Sequence, residues 1–228
     1  VREGKVSEAR IDQSVRRLLR DKFILGLFDN PFVDVEAAER IVGNPEFRQA
    51  GALAQRKSIV MLKNEKQTLP LKSGLKIYVE NLKPESIRPY GQVVNDIAEA
   101  DIAILRLNAP YEKRKGLAEG WFHAGDLDFK EPEKGRILNI LNQVPTIVDI
   151  YLERPAVIPE VAERSAALLA NFGASDEAVL DVVFGKFEPQ GKLPFELPSS
   201  MQAVREQKED LPHDSENPLF PFGHGLCY

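Results

Sequence analysis

The chain has 228 residues, 43% of them hydrophobic and 29% charged, with a formal net charge of −5. That acidic balance, without any basic block or stripe, argues against a nucleic-acid binder, and a single cysteine, Cys227, excludes an internal disulfide framework. The apolar runs fall far short of the ~20 residues that a membrane-spanning helix needs; no signal peptide is visible, and a start at Val1 leaves room for a missing N-terminal part.

Val6–Leu25 predicts an amphipathic helix: Ile11, Val15, Leu18, Leu19 and Phe23 recur at helical spacing, with Ser7 as N-cap and Gly26 as stop. Leu27–Phe32 comes next as an apolar linker broken by Pro31 and expected to pack against something. Asp34 caps a short helix over Val35–Val42, and Asn44-Pro45-Glu46 opens another that runs to about Lys57. Strands are expected at Ser58–Lys63 and Leu75–Glu80, with a weak helix over Val94–Ala100.

From there the pattern alternates. Ile102–Leu107, Thr146–Leu152 and Ala167–Phe172 are apolar strands, separated by helices over Glu131–Gln143 and Ile158–Arg164 and followed by one over Asp176–Phe184 that Ser175 caps. Near-continuous apolar strands between helices indicate an α/β fold: a three-layer sandwich with a mostly parallel sheet flanked by helices, preceded by a helical linker segment. The expected division is residues 1–57 as helical segment and 58–228 as sandwich. The Pro- and Gly-rich tail from Pro189 is expected to be irregular yet ordered, because Leu193, Phe195, Leu219, Phe220 and Phe222 need cover.

Chemistry concentrates in Asp101–Phe129. The strand Ile102–Leu107 empties into a loop holding Glu112, Glu119, Trp121, Phe122, His123, Asp126 and Asp128. In open α/β sheets ligands gather outside the carboxyl ends of strands, which is where this loop begins. Glu112 and Glu119 are candidate general acids, since a carboxylic acid beside apolar rings is kept protonated near neutral pH, although a solvated carboxylate is the usual fate of a loop glutamate. Trp121 and Phe122 could form an apolar platform for a sugar ring or anchor the loop, and His123 could bind substrate or serve as a structural hydrogen-bonder. Asp126 and Asp128 are metal-ligand types without the Gly spacing or His partners of a calcium or zinc site, so no metal is expected. Neither a phosphate loop nor a GxSxG nucleophile elbow occurs.

Several longer stretches carry a resemblance. EARIDQSVRRLLRDKFILGLFDNPFVD and RKSIVMLKNEKQTLPL resemble the segment of glycoside hydrolase family 3 that leaves the catalytic barrel and enters the second domain. FGKFEPQGKLPFELPSS and PLFPFGHGLCY resemble hallmark stretches at the end of that second domain. The resemblance implies the barrel's last helix, a linker and the complete sandwich of a β-glucosidase-type enzyme, with the barrel that bears the catalytic aspartate absent. Retaining glycosidases pair a nucleophilic carboxylate with an acid/base ~5–5.5 Å away; this chain would supply only the acid/base.

In the family that glutamate sits on the loop after the strand matched by Ile102–Leu107. Leu107-Asn108-Ala109 holds no carboxylate, so Glu112 is put first, as the nearest, and Glu119-Gly120 beside it. The resemblance thus implies an exo-acting β-glycosidase domain that needs no cofactor, with a β-linked glucoside or oligosaccharide as substrate, the missing barrel as partner, and a periplasmic or secreted setting. Alone it is expected to be inactive and to expose Leu27, Phe28, Phe32 and Trp121. The alternative is a non-catalytic module binding carbohydrate or a partner domain; a flavodoxin-like nucleotide binder ranks last for want of a phosphate loop.

Overall fold

The computed structural model describes residues 1–114, 116 and 122–228. The chain divides into compact units Val1–Gln49 and Ala50–Tyr228. In the first, α1 spans Glu8–Ile24, capped by Ser7, which accepts from the Arg10 amide at 3.2 Å. α2 (Val35–Ile41) is capped in the same way by Asp34. Neither helix buries a residue. Phe28 rests against Phe23 at 4.6 Å between ring centroids, yet Leu27, Phe28 and Phe32 all stay exposed. α3 comes next at Pro45–Ser58.

The second unit is built on a six-stranded sheet: β1 (Val60–Asn64), β2 (Lys76–Glu80), β3 (Gln92–Val94), β4 (Ile102–Asn108), β5 (Thr146–Tyr151) and β6 (Ala167–Asn171), in the order β1-β6-β5-β4-β2-β3. All pairings are parallel except β1 against β6. Alternation along each strand sends side chains to opposite faces. Ala103, Leu105, Val148, Ile150, Leu168 and Ala170 face one core, where they meet Ile137 and Ile140 of α5 (Glu133–Leu141) and Val161 of α6 (Pro159–Arg164). Ile102, Ile104, Ile147 and Leu169 face the other, against Ile87 of α4 (Pro84–Ile87) and Val179, Leu180, Val182 and Val183 of α7 (Asp176–Val183). Each fully buried aliphatic side chain contributes roughly 1.5–3 kcal/mol. The expected three-layer α/β sandwich is therefore the observed fold.

A weak helix over Val94–Ala100 is not what forms. Gln92–Val94 adds instead to the sheet edge as β3, in register with Lys76–Tyr78, as suits the β-branched Val93 and Val94. Beyond it lies only a 3-10 turn, Ile97–Glu99, with Asp96 accepting from the Ala98 amide at 2.9 Å. α4 and α8 (Met201–Glu206) are additions to the predicted elements. At the far edge, Lys63 on β1 donates to the carbonyls of Ala162, Glu163 and Ser165 at 2.7–2.9 Å, closing the carbonyl end of α6 where a cation is favoured.

The tail is ordered as expected. Leu193 and Leu197 are buried, Phe195, Leu219 and Phe220 pack on the core, and bridges tie Leu197 to Phe220 and Met61 to Leu226. Phe222 departs from expectation at 56% exposure. The turn through Gly223, at φ +77°, leaves its ring stacked on His213 at the surface.

At the carboxyl ends of β4, β5 and β6, on the α7 face, lies a buried polar network. Arg106 donates through Nε to Asp149 (2.8 Å), through Nη1 to Asp176 (2.6 Å) and through Nη2 to the Ala174 carbonyl (2.7 Å). Asn171 Nδ2 donates to both Asp149 oxygens at 3.0 Å, and Asn171 Oδ1 accepts from the Gly173 and Ala174 amides. Burial pushes the Asp149 carboxyl above its ordinary value, and Arg106 pulls it back.

Candidate functional site

The connection from β2 to β3 leads toward one sheet edge, and that from β4 to β5 leads toward the other. β2 and β4 are neighbours, so the chain parts between them, as it does at the ligand crevice of open α/β sheets. A cavity of about 590 Å³ opens there, lined by Asn81 beyond β2, by Leu107–Lys113 at the end of β4 and just after it, and by Asp126 and Asp128–Glu133. Asn81 has φ +56°, and its side-chain amide donates to the Arg106 carbonyl at 2.8 Å, which ties the two strand exits together.

Glu112 lies on the wall of this cavity. Its amide donates to the Ala124 carbonyl at 2.9 Å, and the two residues form an antiparallel bridge that closes the base of the loop. Its side chain lies over Gly125: a Cβ at that glycine would fall 2.3 Å from Glu112 Cγ and Cδ. Gly125 also has φ +86°, a conformation that only glycine adopts without strain. A glycine is thus needed for the carboxylate to lie where it does.

The opposite wall is a set of ion pairs. Lys130 reaches Asp126 at 2.8 Å and Asp128 at 2.7 Å. The Lys130 hydrogen bond holds Asp126 below the usual carboxylate range, and Lys130 is raised in return. Arg205 adds a contact to Asp126 at 3.2 Å. At the start of α5, Arg136 bonds Glu133 at 2.6 and 2.9 Å and also pairs with Glu80 of β2. Hydrogen bonding to Arg136 holds Glu133 low. Burial, and after it a hydrogen bond to Glu80, raises Tyr78. With Asp126 and Asp128 closed on a lysine, nothing in this wall offers a ligand set, and among the described residues no group of His, Cys, Asp and Glu could hold a metal ion.

Of the residues singled out from sequence, Glu112 is on the cavity wall. His123 is beside it in the fold but not on that wall: its ring stacks on Tyr111 at 3.7 Å between centroids, and Nδ1 pairs with the Glu153 carboxylate. Phe122 is 72% exposed. Glu119 and Trp121 lie outside the described residues. Tyr111, Asn81, Glu153 and Arg154 carry no motif that singles them out in the sequence. Glu153 and Arg154 lie just beyond β5 at its carboxyl end, so the rule that drew attention to the loop after β4, applied to the next strand, marks them too.

Comparisons with known proteins agree with this architecture. Residues 87–228 match the model of the glycosyl hydrolase family 3 C-terminal domain. The chain is 56% identical over 233 residues to beta-glucosidase C of Emericella nidulans, covering 100% of this chain and 38% of that protein. It is 42% identical over 231 residues to the periplasmic beta-glucosidase/beta-xylosidase of Dickeya chrysanthemi, covering 99% of this chain and 35% of that protein. Among solved structures, the beta-glucosidase from Listeria innocua in complex with gluconolactone superposes with a TM-score of 0.73 at 22% identity, over 100% of this chain and 40% of that one. The structural likeness is one of fold, and the chain spans well under half the length of these relatives.

Proposed function

This chain belongs to glycoside hydrolase family 3, within which it is a C-terminal domain, and from that premise we propose that it completes the active site of a retaining, exo-acting β-glucosidase. In this reading a barrel domain carries the nucleophilic carboxylate, and the loop after β4 brings the acid/base. Glu112 is the first candidate for that role and Glu119 the second. The observation that carries the reading is the position of Glu112, on the wall of the switch-point cavity over a glycine that leaves room for its carboxylate.

The chemistry then divides between domains. The acid protonates the leaving glycosidic oxygen while the barrel carboxylate attacks the anomeric carbon, and it next deprotonates the water that releases the sugar. Trp121, Phe122 and His123 remain proposed contacts to the sugar. Without a nucleophile the chain alone leaves an aryl β-glucoside intact. Because one relative carries the name beta-glucosidase/beta-xylosidase, glucosides and xylosides are both to be assayed.

The test joins the chain to a family 3 barrel. Glu112→Ala should lower kcat by about 10²–10⁴-fold, the usual worth of a positioned proton donor, and azide, an anionic nucleophile with no proton to lose, should restore turnover of an aryl glycoside by attacking the glycosyl-enzyme in place of water, releasing the barrel carboxylate and giving a glycosyl azide. Azide rescue of Glu119→Ala instead, with Glu112→Ala near wild type, transfers the role to Glu119. Robust turnover by the isolated chain would overturn the division of labour.

A further inference from the structure

The loop that carries Glu112 returns to the sheet through His123–Leu127, and this return leg is held from outside by the connection between β5 and α6. His123 pairs with the Glu153 carboxylate. The Gly125 carbonyl accepts from Arg154 Nη2 at 2.7 Å. The Leu127 carbonyl accepts from the Val157 amide at 2.8 Å, and Asp128 and Val157 form a bridge. The His123 side chain and the Gly125 and Leu127 carbonyls are all engaged by this connection, so the return leg lies against it as a strap. Its other edge holds Glu112, through the Ala124 carbonyl.

We propose that Glu153 and Arg154 are positioning residues that fix the Glu112 backbone and carboxylate at the cavity wall by clamping His123 and Gly125. The chain of contact is short. Arg154 fixes the Gly125 carbonyl, Gly125 is the surface on which the Glu112 side chain lies, and Glu153 orients His123, whose ring in turn covers Tyr111, the residue before Glu112. Hydrogen bonds to charged partners are the stronger ones, enough to decide whether a short loop bridge stays closed. β4 and β5 are neighbours in the sheet, so the loop after one is braced by the loop after the other. Neither residue touches the reacting atoms. Their link to catalysis rests on the acid/base reading of Glu112, whereas their hold on the loop does not.

Amide hydrogen exchange on the full chain separates the two claims. In Glu153→Ala and in Arg154→Ala, the Glu112 amide should exchange roughly tenfold faster or more, the local-opening equivalent of one lost charged hydrogen bond. The Leu105 amide, deep in β4, should keep its wild-type rate. Glu153→Gln and Arg154→Lys, which retain a hydrogen-bonding group, should recover part of the protection. Unchanged Glu112 exchange overturns the proposal, and so does an equal rise at Leu105, because the residues would then serve the whole fold. With the chain joined to a barrel, the same variants should lower kcat about tenfold or more at nearly constant KM. Faster Glu112 exchange with unaltered kcat would leave the clamp standing and remove Glu112 from the chemistry.

Discussion

Arg106 lies near the carboxyl end of β4 and Glu112 just beyond it, and their surroundings contrast a structural network with the proposed acid/base. Arg106 lies in a closed network: its donors meet Asp149, Asp176 and the Ala174 carbonyl, and Asn171 completes the coordination of Asp149, which is fully buried. Every strong valence there is spent within the protein. Glu112 sits on an open wall, its backbone held by Ala124 and its side chain merely given room by Gly125. The first arrangement rigidifies the carboxyl ends of β4, β5 and β6. The second presents a carboxylate from that rigid edge. A preorganised group on a rigid support is what acid/base catalysis requires.

Breaking the buried side should have the largest effect on stability. Asp149→Ala leaves the Arg106 guanidinium without its main partner in a site only 16% exposed, and the expected loss is ~3–5 kcal/mol. Urea unfolding should show a lowered midpoint with little change in slope. Because burial itself works against the Asp149 charge, the pair is costly to split rather than strongly stabilising as a whole. Replacing both members, as Arg106→Leu with Asp149→Leu, should therefore recover part of that loss. A double variant worse than the sum of its singles would show that the network is a net stabiliser.

Gly125→Ala tests the exposed side. The new Cβ would collide with Glu112, and the φ of +86° would be strained for alanine; such strain costs about 1–3 kcal/mol. The damage should stay local, with protection of the central strands unchanged. In the barrel-joined enzyme, displacing the carboxylate by about 1 Å should reduce kcat about 10²-fold. Full activity in this variant would mean that the acid/base is not Glu112. Measured together, Asp149→Ala and Gly125→Ala should separate: stability falls more in the former, turnover more in the latter.

Most of the fold could be read from the chain because its strands are buried on both faces and so appear as apolar runs: IAILRL, TIVDIY and ALLAN. β3 escaped because it is only Gln92–Val94, an edge strand defined by its neighbour rather than by its own pattern. The buried network left a legible mark, one charged residue inside each of two apolar strands, Arg106 in β4 and Asp149 in β5. The clamp left none. Glu153 and Arg154 look like ordinary loop charges until strand order places β5 beside β4, and strand order is set by tertiary packing rather than by local pattern. The same limit applies to His123. Its residue type favours a structural hydrogen-bonder over a part in the chemistry, and only its stacking on Tyr111 and pairing with Glu153 show what it touches.

The smallest expected effect lies on the cavity's ion-paired wall and depends on pH. Arg136 holds Glu133 below its ordinary value of 4.5. A carboxylate whose folded value is depressed contributes stability that is present above its unfolded value and lost as pH falls through the folded one. Glu133 should therefore support the first turn of α5 fully at pH 7 and lose that support progressively below about 4.5. The pair is 49% and 39% exposed, so solvent screening limits its worth to about 0.5 kcal/mol or less, and added salt should shrink it further. Unfolding midpoints of wild type and Glu133→Gln, compared at pH 7 and pH 3, should differ slightly at the first and less at the second. A gap that persists undiminished at pH 3 would assign the support to the shape of the side chain, and this wall would then resemble the buried network more than the open one.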